Sequence, residues 1–306
     1  MTRRYGVYFR THFWDDYVAR MAARLQAVSS EPVVVVADET ANAIAVDGYR
    51  KISCTADEFA SWGLCVEPRD EALWYNGDYA YYKILREDTD VRYYVVVEYD
   101  AVMRKAADEV IDLVAASGID FVAHDVRLAE PNWDWTDHHR SLYDPVVACL
   151  FPITVISSVA AAFLFARRLE LSRAFRSGEV MNWPFCEAFV PSELARTRRF
   201  PGAKLADIGN ADHVRFLQPF LETDIDETAE GDFLHPVLSG ERYARSRIRL
   251  ADGAILRTYF EPGSDLRRDL DRLDTAVVRT VLGEAFAAQA DERSLARLAD
   301  ELGPDA

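Results

Sequence analysis

Cysteine is scarce and scattered: Cys54, Cys65, Cys149 and Cys186 are the only four, and no C-x-x-C pair occurs. That spacing excludes a disulfide framework and a zinc knuckle. Positive charge is in deficit, with 35 Lys and Arg against 51 Asp and Glu, a formal net charge of −16. Such a field repels phosphate backbones, so nucleic acid is excluded as a partner, and a phosphate-bearing ligand needs local cations or a metal. The basic start Met1-Thr2-Arg3-Arg4-Tyr5 is followed by no apolar run or small-residue cleavage site, so no signal peptide is expected. One uncharged stretch, 145–166, approaches the ~20 residues that cross a bilayer. Pro145, Pro152, Thr154, Ser157 and Ser158 interrupt it, which predicts a loop, a short buried strand at Thr154–Ile156 and a buried helix from Ser158. No transmembrane segment is expected. The expected location is cytoplasmic, with peripheral attachment to the inner face of the membrane as a variant.

What is present is a packed globular composition, 50% hydrophobic and 28% charged over 306 residues. That is enough for one large domain or two small ones. The first half alternates strand and helix signals. Tyr5–Phe9 is a strand, and Trp14–Gln26 puts Trp14, Val18, Met21 and Leu25 on one helical face. Val33-Val34-Val35-Val36 is the unbroken β-branched run of a strand covered on both faces. Tyr49–Ser53 is a third strand, and Leu73–Arg86 a helix with Trp74, Tyr81, Tyr82 and Leu85 spaced for burial. Tyr93–Val97, a helix at Ala106–Ala116 and a strand at Phe121–Ala123 follow. This order predicts an α/β fold with an open, mostly parallel sheet and ligands at the carboxyl ends of its strands. Ala129–Tyr143 is expected to be a long loop, Tyr243–Leu250 and Ala254–Phe260 a β-hairpin, and Ser264–Leu302 helical. The tail's predicted stripe is Leu266, Leu270, Leu273, Val277, Val278 and Val281, which makes the tail a candidate for homo-oligomer formation.

The chemistry is expected at Val95-Val96-Val97-Glu98-Tyr99-Asp100. Strand alternation would point Glu98 and Asp100 to one side, where two carboxylates suit a hard divalent cation. Asp38 ends the valine strand, and Arg10 and Thr11 follow the first strand; all three are candidate nucleotide contacts. Asn76, Asp78 and Lys83 are candidates in the helix before the carboxylate strand. Trp133 and Trp135 are candidates for a stacking platform. Farther on lie Phe185-Cys186-Glu187-Ala188-Phe189 and Phe233-Leu234-His235-Pro236.

In this order the motifs resemble a metal-dependent glycosyltransferase of the GT-A fold, more narrowly the bacterial enzymes that build surface or capsular polysaccharides. The resemblance covers roughly residues 3–242. It implies a GT-A-like domain over 1–263 with a C-terminal helical extension over 264–306. Glu98-Tyr99-Asp100 takes the place of the family's Asp-x-Asp, with Glu departing from the commonest first residue. The resemblance makes Asp100 and His235 ligands of Mn²⁺ or Mg²⁺, with Glu98 touching the metal through water or touching the ribose. It makes Glu187 the base that deprotonates the acceptor hydroxyl, its pKa raised by Phe185, Phe189 and Trp183, and adds Trp183 to the acceptor side. The implied partners are a nucleotide-sugar donor, UDP-linked, and a saccharide acceptor, reacting with inversion.

Three rivals stand beside it. A sugar-nucleotide pyrophosphorylase needs a Gly-rich loop, and Val7-Tyr8-Phe9-Arg10-Thr11-His12 has no glycine. A metal-dependent hydrolase of a nucleotide sugar or phosphoester would use His124, Asp125, His138 and His139. A non-catalytic scaffold would work through the helical tail.

Overall fold

The first strand, β1 (Arg3–Thr11), leads into α1 (Asp16–Ala27), whose first turn is capped by the Asp15 side chain accepting from the Val18 amide. The structure, a computed structural model, describes residues 3–133, 135–228, 231–249 and 251–302. The helix α1 buries Tyr17, Val18, Met21, Ala22 and Leu25, the face that the 3.6-residue spacing selects. Next come β2 (Val33–Asp38), β3 (Arg50–Cys54), α2 (Ala56–Ser61), α3 (Ala72–Tyr75) and α4 (Tyr79–Glu87). They lead to β4 (Val91–Glu98), β5 (Val102–Met103), α5 (Ala107–Ala116), β6 (Phe121–Leu128) and α6 (Thr136–His139). Then follow β7 (Val147–Ser157), α7 (Ser158–Ser177), α8 (Cys186–Thr197), β8 (Gly202–Lys204), β9 (His213–Val214) and β10 (Phe220–Leu221). The remainder is α9 (Ile225–Thr228), β11 (Phe233–His235), β12 (Val237–Leu238), α10 (Gly240–Arg249) and α11 (Gly253–Arg257). It closes with α12 (Asp265–Leu270), α13 (Thr275–Ala288) and α14 (Glu292–Leu302).

The chain forms two compact units, Met1–Val214 with Gly231–Leu234, and Arg215–Glu230 with His235–Ala306. In the first, the main sheet has the order β3-β2-β1-β4-β7-β6-β8. Its pairings are parallel except those of β7, which runs antiparallel to both β4 and β6. The result is the expected α/β fold with a mixed, mostly parallel sheet and C-terminal helices. All four valines of β2 are buried, as expected for a strand inside a covered sheet.

Several expectations give way, among them the short strand at Thr154–Ile156, which extends back to Val147 as β7. The predicted helix over 73–86 breaks between α3 and α4. There the Asn76 side-chain amide donates to the Ala72 carbonyl at 2.7 Å, competing with the helical ladder. Trp74, predicted to be buried, is 64% exposed. The predicted hairpin in the second unit is the helix pair α10 and α11. Tyr243, Ala244 and Ile248 are buried, a helical spacing. Arginines at alternate positions, Arg245, Arg247 and Arg249, imitate a strand's polar face in the sequence alone. Asp252-Gly253 starts a helix instead of turning a hairpin, because an Asp252 oxygen accepts from the Ala254 and Ile255 amides at 2.8 and 2.9 Å. In this unit Leu266, Leu270, Val278 and Val281 are buried with Leu282 and Phe286, while Leu273 and Val277 are partly buried.

Candidate functional site

The carboxyl ends of β1, β2 and β4 open onto a cavity of about 340 Å³ in the first unit. Its walls include Arg10 and Thr11 from β1, Asp38 from β2, Glu98 from β4, and Asn76 and Gly77 between α3 and α4. Arg10 and Glu98 are direct partners in the parallel β1–β4 register, so their side chains leave the same face. They form an ion pair. Burial works against the Arg10 charge, and Glu98 first among its neighbours outweighs it and holds the guanidinium protonated. Gly77 makes room for this pair: a Cβ there would press on the Arg10 guanidinium.

Asp38 is anchored at the end of β2, where one of its oxygens accepts from the Thr40 amide at 2.9 Å. Thr11 is buried on the cavity wall, and its hydroxyl donates to the Phe13 carbonyl at 2.7 Å. The alternation argument reaches only Glu98. The strand β4 ends there, and the Ala101 amide donates back to the Glu98 carbonyl at 3.0 Å, so Asp100 sits in a turn. That turn leads into β5, which pairs antiparallel with β11 through Val102↔Leu234 and Met103↔Phe233. His235 is the last residue of β11. Its Nδ1 lies 2.6 Å from the Arg215 carbonyl, which can only accept.

Glu187 lies in the first turn of α8 and is partly buried. Burial, then the nearby Glu98 charge, push its carboxyl up to about 7, against the Phe151 amide, Arg10 and Arg127. A carboxyl with that pKa can exchange protons near neutrality.

The remaining sequence candidates divide. Asp78 is fully buried, and both its oxygens accept from Arg168 at 2.8 Å. It is a core ion pair, which corrects its assignment to the ligand. Lys83 is likewise committed, to Glu58 at 2.6 Å and Glu87 at 3.1 Å. Asn76 reaches the cavity wall, but its side-chain oxygen accepts from the indole of Trp183 at 2.7 Å. Trp183 is itself buried, with Arg168 against its ring at 4.9 Å, so it packs the core and cannot face an acceptor. Trp133 is stacked on His139 at 5.9 Å. Trp135 is the more open, 37% exposed, and meets Phe185 edge-on at 4.9 Å.

Sequence reasoning missed Gly77 and the open position of Trp74, both on the cavity wall. A glycine interrupting a helical pattern was the available signal. Of the hydrolase rival's residues, His138 and His139 bond the backbone, and Asp125 pairs with Arg127 at 2.7 Å.

No family model matches the chain, and no curated protein does. Among solved structures, it is similar to the galactosyltransferase LgtC in complex with donor and acceptor sugar analogs. The identity is 13%, the TM-score 0.41, and the match covers 74% of this chain and 78% of that one. An active-site mutant of LgtC matches at 12% identity and a TM-score of 0.41, covering 74% and 79%. No helix among the described residues is long and apolar enough to cross a membrane.

Proposed function

We propose that this protein is a glycosyltransferase that moves a sugar from a nucleoside diphosphate, with uridine as the base, to a saccharide hydroxyl. The observation that carries the reading is the meeting of two features in the first unit. A cavity lies at the carboxyl edge of the parallel strands, and a carboxyl poised near neutrality shares Arg10 and Glu98 with its wall. A non-catalytic scaffold needs neither.

Arg10, Thr11, Asp38 and Glu98 would bind the nucleotide. The Arg10 guanidinium is the cation on the cavity wall and would face the diphosphate, exchanging part of its contact with Glu98 for phosphate oxygens. Glu187 would accept the acceptor's hydroxyl proton as the oxygen attacks the anomeric carbon, in one displacement with inversion. General base catalysis of this kind contributes ~10²–10⁴-fold. Trp135 would offer its exposed face to the acceptor. This agrees with the sequence's resemblance to enzymes of bacterial surface polysaccharide synthesis.

The donor set fits a divalent cation. Glu98, the last residue of β4, and Asp100, in the turn after it, would hold the ion with their carboxylates, and the resemblance implies His235 as the further ligand. Two carboxylates with one imidazole suit Mn²⁺ or Mg²⁺. Such an ion supplies Lewis-acid neutralisation of the departing diphosphate.

The test is a thermal-shift panel of UDP, GDP, CMP and dTDP, each with Mn²⁺ and with EDTA. The reading expects stabilisation by UDP with Mn²⁺, worth ~2.7 kcal/mol at 100 times Kd. No shift with any nucleotide overturns it.

A further inference from the structure

We infer that His139 is a positioning residue for Glu187, tying the end of α6 to the residue from which α8 starts. The inference rests on the reading of Glu187 as the base. His139 is fully buried, and both its ring nitrogens are used. Nδ1 lies 2.7 Å from the Trp135 carbonyl, an acceptor, so it donates there. Nε2 is then the acceptor, and the Phe185 amide donates to it at 3.0 Å. Phe185 is the residue before the first turn of α8, and its side chain makes no capping bond. Its own carbonyl accepts from the Ala188 and Phe189 amides at 3.1 and 2.8 Å. Thus one residue, held at its N–H by the imidazole and accepting at its carbonyl from the first helical amides, sets where the turn bearing Glu187 begins.

His138 supports the tie from the next position. Its Nε2 meets the Trp183 carbonyl at 2.9 Å, and its own carbonyl accepts from the Asn182 side chain at 3.0 Å. Its ring stacks on Phe185 at 4.8 Å, 11° from parallel. Only a neutral imidazole can accept at Nε2, and burial keeps His139 neutral by pushing its pKa down to about 4. Without that acceptor the Phe185 amide would favour a displaced helix start, where it finds another partner.

The experiment compares wild type with His139→Leu, which has neither donor nor acceptor, and His139→Gln, which has one of each. Turnover should fall about 10²-fold in the leucine variant, the scale of a 1 Å misplacement, with Kd for UDP and Mn²⁺ unchanged within about twofold. Glutamine should restore most of it. Hydrogen exchange should speed up at the Phe185, Ala188 and Phe189 amides while Val95–Val97 keep wild-type protection. Wild-type turnover in His139→Leu, or unchanged exchange at Phe185, overturns the inference. If the leucine variant does not fold, nitrogen NMR of the wild type decides: a protonated Nε2 on His139 overturns the inference. Failure of the glycosyltransferase reading itself shows differently, as absent nucleotide binding by the wild type, and the exchange measurement still decides the tie.

Discussion

Replacing Glu187 by glutamine should make the protein more stable at neutral and alkaline pH. The folded carboxyl sits at about 7 against an ordinary value of 4.5. Below pH 4.5 it is protonated whether the chain is folded or unfolded, and it contributes no difference. Between 4.5 and 7 the unfolded chain ionises while the folded one holds its proton, so stability falls as pH rises; above 7 the loss is constant. At ~1.36 kcal/mol per unit, the gap corresponds to about 3 kcal/mol, and partial exposure lowers it toward about 2 kcal/mol. Glutamine keeps an oxygen for the Phe151 amide and removes the buried charge. Urea denaturation of both proteins at pH 4.5, 6 and 8 in EDTA measures the difference. Glu187→Gln should gain about 2–3 kcal/mol at pH 8 and nothing at pH 4.5. Equal stability at pH 8, or a loss there, refutes the account of a charge held in an unfavourable place for use.

Two other perturbations separate core from cavity. Asp78→Asn strips the buried Arg168 of its partner and should destabilise by about 3–5 kcal/mol in urea titration, leaving Kd for UDP unchanged in the folded fraction. Gly77→Ala places a methyl against the Arg10 guanidinium, so calorimetry should show UDP binding weakened about tenfold, roughly 1.4 kcal/mol, while a melting curve shifts little.

Local pattern carried the N-terminal half of the fold. The valines of β2 and the i, i+4, i+7 spacing in α1 each report their own environment, because burial of a covered strand or a helix face is written in adjacent residues. The antiparallel insertion of β7 between β4 and β6 was not legible, since nothing in 147–157 names its partners or its direction. In α10 the arginine alternation obeyed one period and the buried Tyr243, Ala244 and Ile248 another; packing decided for the helix. The same limit governed the site. Arg10, Asp38 and Glu98 stand at strand ends, where topology alone sends them to the cavity. Asp78 and Trp183 looked equally polar or aromatic in the sequence, yet Arg168, ninety positions from Asp78, claims the carboxylate and walls in the indole. Nothing in the residues around Asp78 announces that partner.

The central claim is that the nucleotide is held jointly with a divalent cation at Glu98 and Asp100. Calorimetric titration of UDP into wild type and Asp100→Ala, each with Mn²⁺ and with EDTA, tests it most directly. The account predicts binding by the wild type with Mn²⁺ and loss of at least about tenfold in affinity on either chelation or substitution. Equal affinity in all four titrations would contradict it.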